Sequence, residues 1–102
     1  MAVALSDHQQ EVIREAMTRR FGDGVMIWVF GSRARGVSSG DIDLYAEISG
    51  TGRPRLIERL LVQSEIQDAL RTKVDLIVRP SHGEKRAFEQ MAKSTGVLLY
   101  NE

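Results

Sequence analysis

Apolar residues recur along this chain at two different periods, and the switches between them mark out its elements. Leu5, Val12, Ile13, Ala16 and Met17 follow helical spacing, which predicts an amphipathic helix over Asp7 to Arg20. Ser6, with Gln9 three residues on, has the form of a capping box. Phe21 closes the apolar face, and Gly22-Asp23-Gly24 stops the helix. Val25 to Phe30 is nearly all apolar and rich in β-branched and aromatic residues, the mark of an interior strand. Gly31 to Gly40, with its glycines and serines, reads as a turn holding at most a short helical piece.

From Asp41 to Ile48 the pattern alternates. Asp41, Asp43, Tyr45 and Glu47 share one face, and Ile42, Leu44, Ala46 and Ile48 share the other, so a strand with one wet face is expected. Ser49 to Gly52 is a loop, and Pro54 suits the first turn of a helix running to Leu70. Leu56, Ile57, Leu60, Leu61 and Leu70 form its expected buried stripe. Lys73 to Val78 is a third strand, and Glu84 to Lys93 a short helix with Phe88, Met91 and Ala92 turned inward. Val97 to Tyr100 is an apolar tail, either a last strand or a segment packed on the sheet.

The order αββαβα plus this tail predicts one α+β domain over residues 1–102. Its centre is a small mixed β-sheet with helices packed on one face, because the opposite face carries the acids. Trp28 belongs to the core, and Met17, Met26 and Met91 are packing residues.

Charge and cysteine content narrow the function classes. Fourteen lysines and arginines balance fourteen aspartates and glutamates, so the basic excess of a general nucleic-acid binder is missing, and no direct nucleic-acid binding is expected. Near-zero net charge leaves association with a partner open. There is no cysteine, which removes disulfides and thiolate metal sites and makes a cytoplasmic location the default. The longest apolar run, Val25 to Phe30, is too short to span a bilayer, so no membrane association is expected, and no signal peptide is evident.

The candidate chemistry lies at the acids. Asp41 and Asp43, two residues apart on a strand, project from one face. Adjacent carboxylates repel, and a hard divalent cation relieves that repulsion; Mg²⁺ takes one or two carboxylates together with substrate phosphates. Asp75, in the otherwise apolar Val74-Asp75-Leu76-Ile77, is costly to bury unpaired. If its strand lies beside that of Asp41 and Asp43, all three converge, and oxygen ligands without a histidine cluster point to Mg²⁺ rather than zinc. Taken alone, Asp75 could equally cap a turn or pair with Lys73 or Arg79. The Gly31-Ser32 turn can present N–H groups to phosphate, and glycine at 31 permits close approach.

Gly31-Ser32, Asp41-Ile42-Asp43 and Asp75, in that order, resemble the signature of the minimal nucleotidyltransferases within the DNA polymerase β-like nucleotidyltransferase superfamily. The flanks also match: Val29-Phe30 before the glycine, Arg33-Ala34-Arg35-Gly36 after the serine, Leu44, and the closing Gly96 to Tyr100. The spacer, residues 33–40, is a little short, and Gly40 stands where a serine often precedes the first acid.

The resemblance implies the polymerase β-like fold and a Mg²⁺-dependent transfer of AMP from ATP to a hydroxyl, expected to be a tyrosine, of a HEPN-domain ribonuclease toxin. The chain would then be the antitoxin of a toxin–antitoxin pair and part of a hetero-oligomer. By the same resemblance Asp41, Asp43 and Asp75 are catalytic residues and metal ligands, with Asp75 the candidate base. Gly31, Ser32, Arg33 and Arg35 would hold the nucleotide phosphates. The alternative is a binding module that neutralises the toxin by occlusion, with little or no catalysis; transfer to a free small molecule is a third course. Other residues are read as structural: Glu47 as solvent-facing, Tyr45 as a surface or interface residue, and His8 and His82 as exposed.

Overall fold

The computed structural model describes residues 3–49, 54–83 and 85–101. Helix α1 spans Asp7–Phe21, strand β1 Met26–Phe30, a 3-10 turn Gly31–Arg35, β2 Ile42–Ile48, α2 Leu56–Leu70, β3 Val74–Pro80, α3 Ala87–Thr95 and β4 Val97–Asn101. The apolar tail is thus a strand. Gly50, Thr51 and Gly52 of the expected loop, and Glu84 at the expected start of the last helix, lie outside the described residues.

The sheet runs β3-β2-β1-β4. β1 pairs antiparallel with both β2 and β4, while β2 and β3 are parallel, so the sheet is mixed as expected. The α2 crossover supplies the length that a parallel connection needs. Each helix starts on a side chain that reaches back: Gln9 and Ser6 close a reciprocal box on α1, and Glu58 and Glu89 accept the N–H groups of Arg55 and Arg86 on α2 and α3.

The main core lies between the sheet and the pair α1 and α2, where Ile13, Met17, Ile27, Val29, Leu44, Val62, Ile66 and Leu76 are buried. Two arrangements differ from the expected ones. The first concerns α2, whose buried residues are Val62 and Ile66, whereas Leu56, Ile57, Leu60 and Leu61 are exposed. β3 is the reason. As an edge strand it presents backbone groups that need partners. Gln67 and Gln63 accept the N–H groups of Val74 and Leu76 at 2.9 and 3.0 Å, and Arg59 donates to the Leu76 carbonyl at 3.1 Å. Turning this polar ladder onto the edge turns the Leu56–Leu61 stripe outward.

The second difference concerns the acid-bearing face, which is not left open: α3 covers its far end. Trp28, Tyr45 and Ala92 form a small second core there, with Met26, Phe30 and Ile77 against it. Phe88 and Met91 stay largely exposed, because only Glu89 and Ala92 of this short helix turn fully onto the sheet. Tyr45 and Glu47 are therefore buried rather than solvent-facing. The Tyr45 hydroxyl donates to Glu47 at 2.8 Å, and Lys93 and Lys85 lie 3.2 and 3.7 Å from the same carboxylate. Burial, and then the Glu47 carboxylate, push the Tyr45 phenol up from its ordinary value. α3 passes into β4 through Gly96, where a Cβ would lie 2.5 Å from the Ala92 carbonyl oxygen and 2.7 Å from that of Val29.

Candidate active site

β2 and β3 run in parallel register with Asp43 directly beside Asp75. In both strands the neighbours of these acids, Ile42 and Leu44, Val74 and Leu76, are buried on the α1–α2 side. Alternation therefore puts both carboxylates on the opposite face, beyond the part that α3 covers. Asp75 is exposed, so the expected cost of burying it does not arise; the edge position of β3 leaves it in solvent.

Asp43 is the half-buried member of the pair. Burial, then the charges of Asp75 and Asp41 and a hydrogen bond with Asp75, raise its pKa, and Lys73 only partly opposes them. Asp41 stands just before β2, half exposed, and pairs loosely with Lys73 at 3.8 Å. Neither residue expected beside Asp75 pairs with it: Lys73 faces Asp41, and Arg79 binds Glu89 at 2.7 Å.

The phosphate-type turn abuts these acids. Gly31 follows Phe30, whose cross-strand partner is Asp43. It takes φ +72°, a conformation open to glycine, and a Cβ there would strike Asp43 Oδ2. The turn is closed by the Val37 N–H bonding the Ser32 carbonyl at 3.0 Å. A Cβ at Gly40 would come 4.0 Å from Ser32 Oγ, so Ser32 sits close to the approach to Asp41.

Arg33 behaves differently from a phosphate ligand. Its side chain is buried, and its terminal nitrogens donate to the carbonyls of Ala4 at 3.1 Å and Gly40 at 3.0 Å. It holds the turn to the N-terminal segment, with Nε unpartnered. Arg35 is exposed beside it. His8 and His82 are exposed as expected.

A hard cation suits the donors: carboxylate oxygens, with a half-buried Asp43 whose neighbours are too negative for it. Among the described residues, however, no three such side chains stand close enough to hold an ion as they are. Asp43 and Asp75 form the near pair, and Asp41 would have to leave Lys73 to join them.

The Arg59–Gln63–Gln67 ladder and the Tyr45–Glu47 network were not anticipated from sequence. The ladder does leave a sign, in three long polar residues, Arg59, Gln63 and Gln67, at i, i+4 and i+8 along one side of the helix. Among the described residues no helix is long and apolar enough to cross a membrane.

Comparison with known proteins places this geometry. Residues 11–102 match the family model for polymerase beta nucleotidyltransferases. No curated protein matches the chain in sequence. Among solved structures, a complex of tri-AMPylated Shewanella oneidensis HEPN toxin with MNT antitoxin shares 18% identity at a TM-score of 0.72, over 96% of this chain and 74% of that one. A toxin–antitoxin structure with AMP-PNP shares 21% identity at a TM-score of 0.71, over 91% and 73% of the two chains. A Sulfolobus solfataricus protein proposed to be a nucleotidyltransferase shares 26% identity at a TM-score of 0.59, over 90% and 76%. The first two likenesses establish a shared fold, and with the family match over nearly the whole length, this chain belongs to the polymerase beta nucleotidyltransferase family.

Proposed function

We propose that this protein is a Mg²⁺-dependent nucleotidyltransferase that moves AMP from ATP onto a hydroxyl, a tyrosine hydroxyl foremost, of a HEPN-domain ribonuclease toxin. It would thereby act as the toxin's antitoxin, in the cytoplasm. The observation that carries this reading is the Asp43–Asp75 pair on adjacent parallel strands, set against the Gly31 turn. The likeness to a complex containing an AMPylated HEPN toxin and to a structure with AMP-PNP supports the choice of donor and acceptor.

In this reading Asp41, Asp43 and Asp75 hold the metal. When bound, Mg²⁺ offsets their mutual repulsion and the charge of the phosphates. The Gly31 and Ser32 amides, the Ser32 hydroxyl and the exposed Arg35 bind the distal phosphates. Arg33 serves indirectly, by holding the turn in place. Asp75, exposed at the sheet edge, takes the proton of the acceptor hydroxyl. The acceptor oxygen bonds to the α-phosphorus, the bond from that phosphorus to the β-bridging oxygen breaks, and pyrophosphate leaves.

The loose Lys73–Asp41 pair, with no three acids gathered among the described residues, favours a second reading in which the protein neutralises its toxin by occlusion alone. Intact mass spectrometry of the toxin after incubation with this protein, ATP and Mg²⁺ separates the two. Transfer predicts gains in AMP-sized steps, lost when Asp41→Asn and Asp43→Asn are combined. Labelling that survives the double substitution would overturn the assignment of the acids, and toxin neutralised without any mass gain would leave occlusion.

A further inference from the structure

Leu56, Ile57, Leu60 and Leu61 of α2 are between 40% and 64% exposed, although their spacing is that of a core face. Four large aliphatic side chains on one helical stripe form a patch of the kind that marks an interaction site.

This patch is joined to the active site. An open groove of about 610 Å³ runs between α2 and the acid-bearing face of β3, lined by Arg59, Leu60, Gln63, Asp75, Ile77 and Arg79. A smaller hollow of about 170 Å³ shares Arg59 and Arg79 with it and extends to Arg55 and Leu56. Leu60 is thus both part of the exposed stripe and a wall of the groove that ends at Asp75. We infer that the stripe and the groove together form the docking surface for the acceptor protein, whose hydroxyl-bearing segment lies along Ile77 with its oxygen at Asp75. This inference rests on the transferase reading above.

Three observations select that occupant. A strand added from another molecule finds the middle of this edge occupied, because Gln67 accepts the Val74 N–H and Gln63 and Arg59 bond the N–H and carbonyl of Leu76. A second copy seated on the stripe would cover Leu60, a wall of the groove that reaches Asp75. The rim carries arginines: Arg55, whose side chain is 81% exposed and only loosely paired with Glu58 at 3.7 Å, beside Arg59 and Arg79, which bond the Leu76 carbonyl and Glu89. A partner that fits carries apolar anchors for Leu56 and Leu60, with a carboxylate in reach of the exposed Arg55 and none beside the acids.

The test uses a HEPN-domain toxin co-expressed and purified with this protein. Its affinity for the wild-type protein is compared with that for a Leu56→Asp, Leu60→Asp variant and for Leu98→Asp, an exposed apolar residue on β4. Calorimetry should show the α2 variant weakened about tenfold or more and Leu98→Asp unchanged, with AMP-PNP binding intact in both. AMP addition to the toxin, followed by intact mass, should fall with the affinity. An α2 variant that binds the toxin like wild type overturns the inference. So does a variant that only converts a self-associated form into monomer, which assigns the stripe to a second copy, and so does a wild-type protein that forms no complex. Toxin that binds through the stripe but is never labelled sinks the transferase reading and keeps the docking surface.

Discussion

Asp43 lies directly beside Asp75 across the parallel β2–β3 pair, and the two carboxylates share a face of the sheet. Half-buried and facing the charges of Asp75 and Asp41, Asp43 holds its proton more tightly than an ordinary aspartate.

A raised carboxylate pKa means that ionised Asp43 opposes folding at neutral pH, and that this penalty fades as pH falls through the raised value. Asp43→Asn should therefore stabilise the metal-free protein at pH 7, by up to about 1 kcal/mol or a few degrees in Tm. Millimolar Mg²⁺ should raise the wild-type Tm and leave that of Asp43→Asn unmoved. Differential scanning fluorimetry reads both, and a variant that Mg²⁺ stabilises as well as wild type would count against metal binding at Asp43.

Gly31→Ala meets two obstacles, a φ of +72° and Asp43 Oδ2 where the new Cβ must go. The backbone cost is about 1–2 kcal/mol, so the domain should still fold. The displaced Asp43 should lower AMP transfer far more than stability falls. Steady-state labelling rates beside a urea melt check the ratio.

Glu89, on the side of α3 turned to the sheet, is nearly fully buried. Burial alone would raise its pKa, but the Arg86 N–H and the Arg79 guanidinium outweigh that and hold it below the ordinary 4.5. A lowered carboxylate pKa contributes stability that is present above the unfolded value and is lost as pH falls through the folded one. Acid titration of the fold should show a loss of stability beginning near pH 4.5 and deepening below it. Glu89→Gln should be less stable than wild type at pH 7 and show a flatter acid limb by circular dichroism.

Gln63 and Gln67 seal the β3 edge, each accepting one backbone N–H. Replacing both with alanine should cost about 1–3 kcal/mol for each donor released. It should also open an edge for intermolecular pairing. Urea denaturation measures the first effect, and light scattering at rising protein concentration the second.

Much of the fold was legible along the chain because periodicity is a local property. Alternation from Asp41 to Ile48 put Ile42 and Leu44 in the core and Asp43 on the other face, and the strand holds that arrangement. The Ser6–Gln9 box starts α1 where expected. Asp75 could be tied to Asp43 only on the condition that their strands were neighbours, and the sheet order meets it. The misreadings share a cause. Leu56 to Leu61 form a good helical stripe, yet α2 turns Gln63, Gln67 and Arg59 to an edge strand whose bare amides need partners. Tyr45 and Glu47 looked wet because α3, which covers them, is remote in sequence. Arg33 looked like a phosphate ligand until its nitrogens met the Ala4 and Gly40 carbonyls.

From sequence alone come the elements, their two faces and the ordered Gly-Ser, Asp-x-Asp and third acid, because side-chain direction repeats with the backbone period. The tertiary structure decided which helical face was buried, which acids met and which arginine was tied into the turn. Those outcomes depend on neighbours that the chain brings together only when the sheet assembles, and on backbone groups whose partners exist only there.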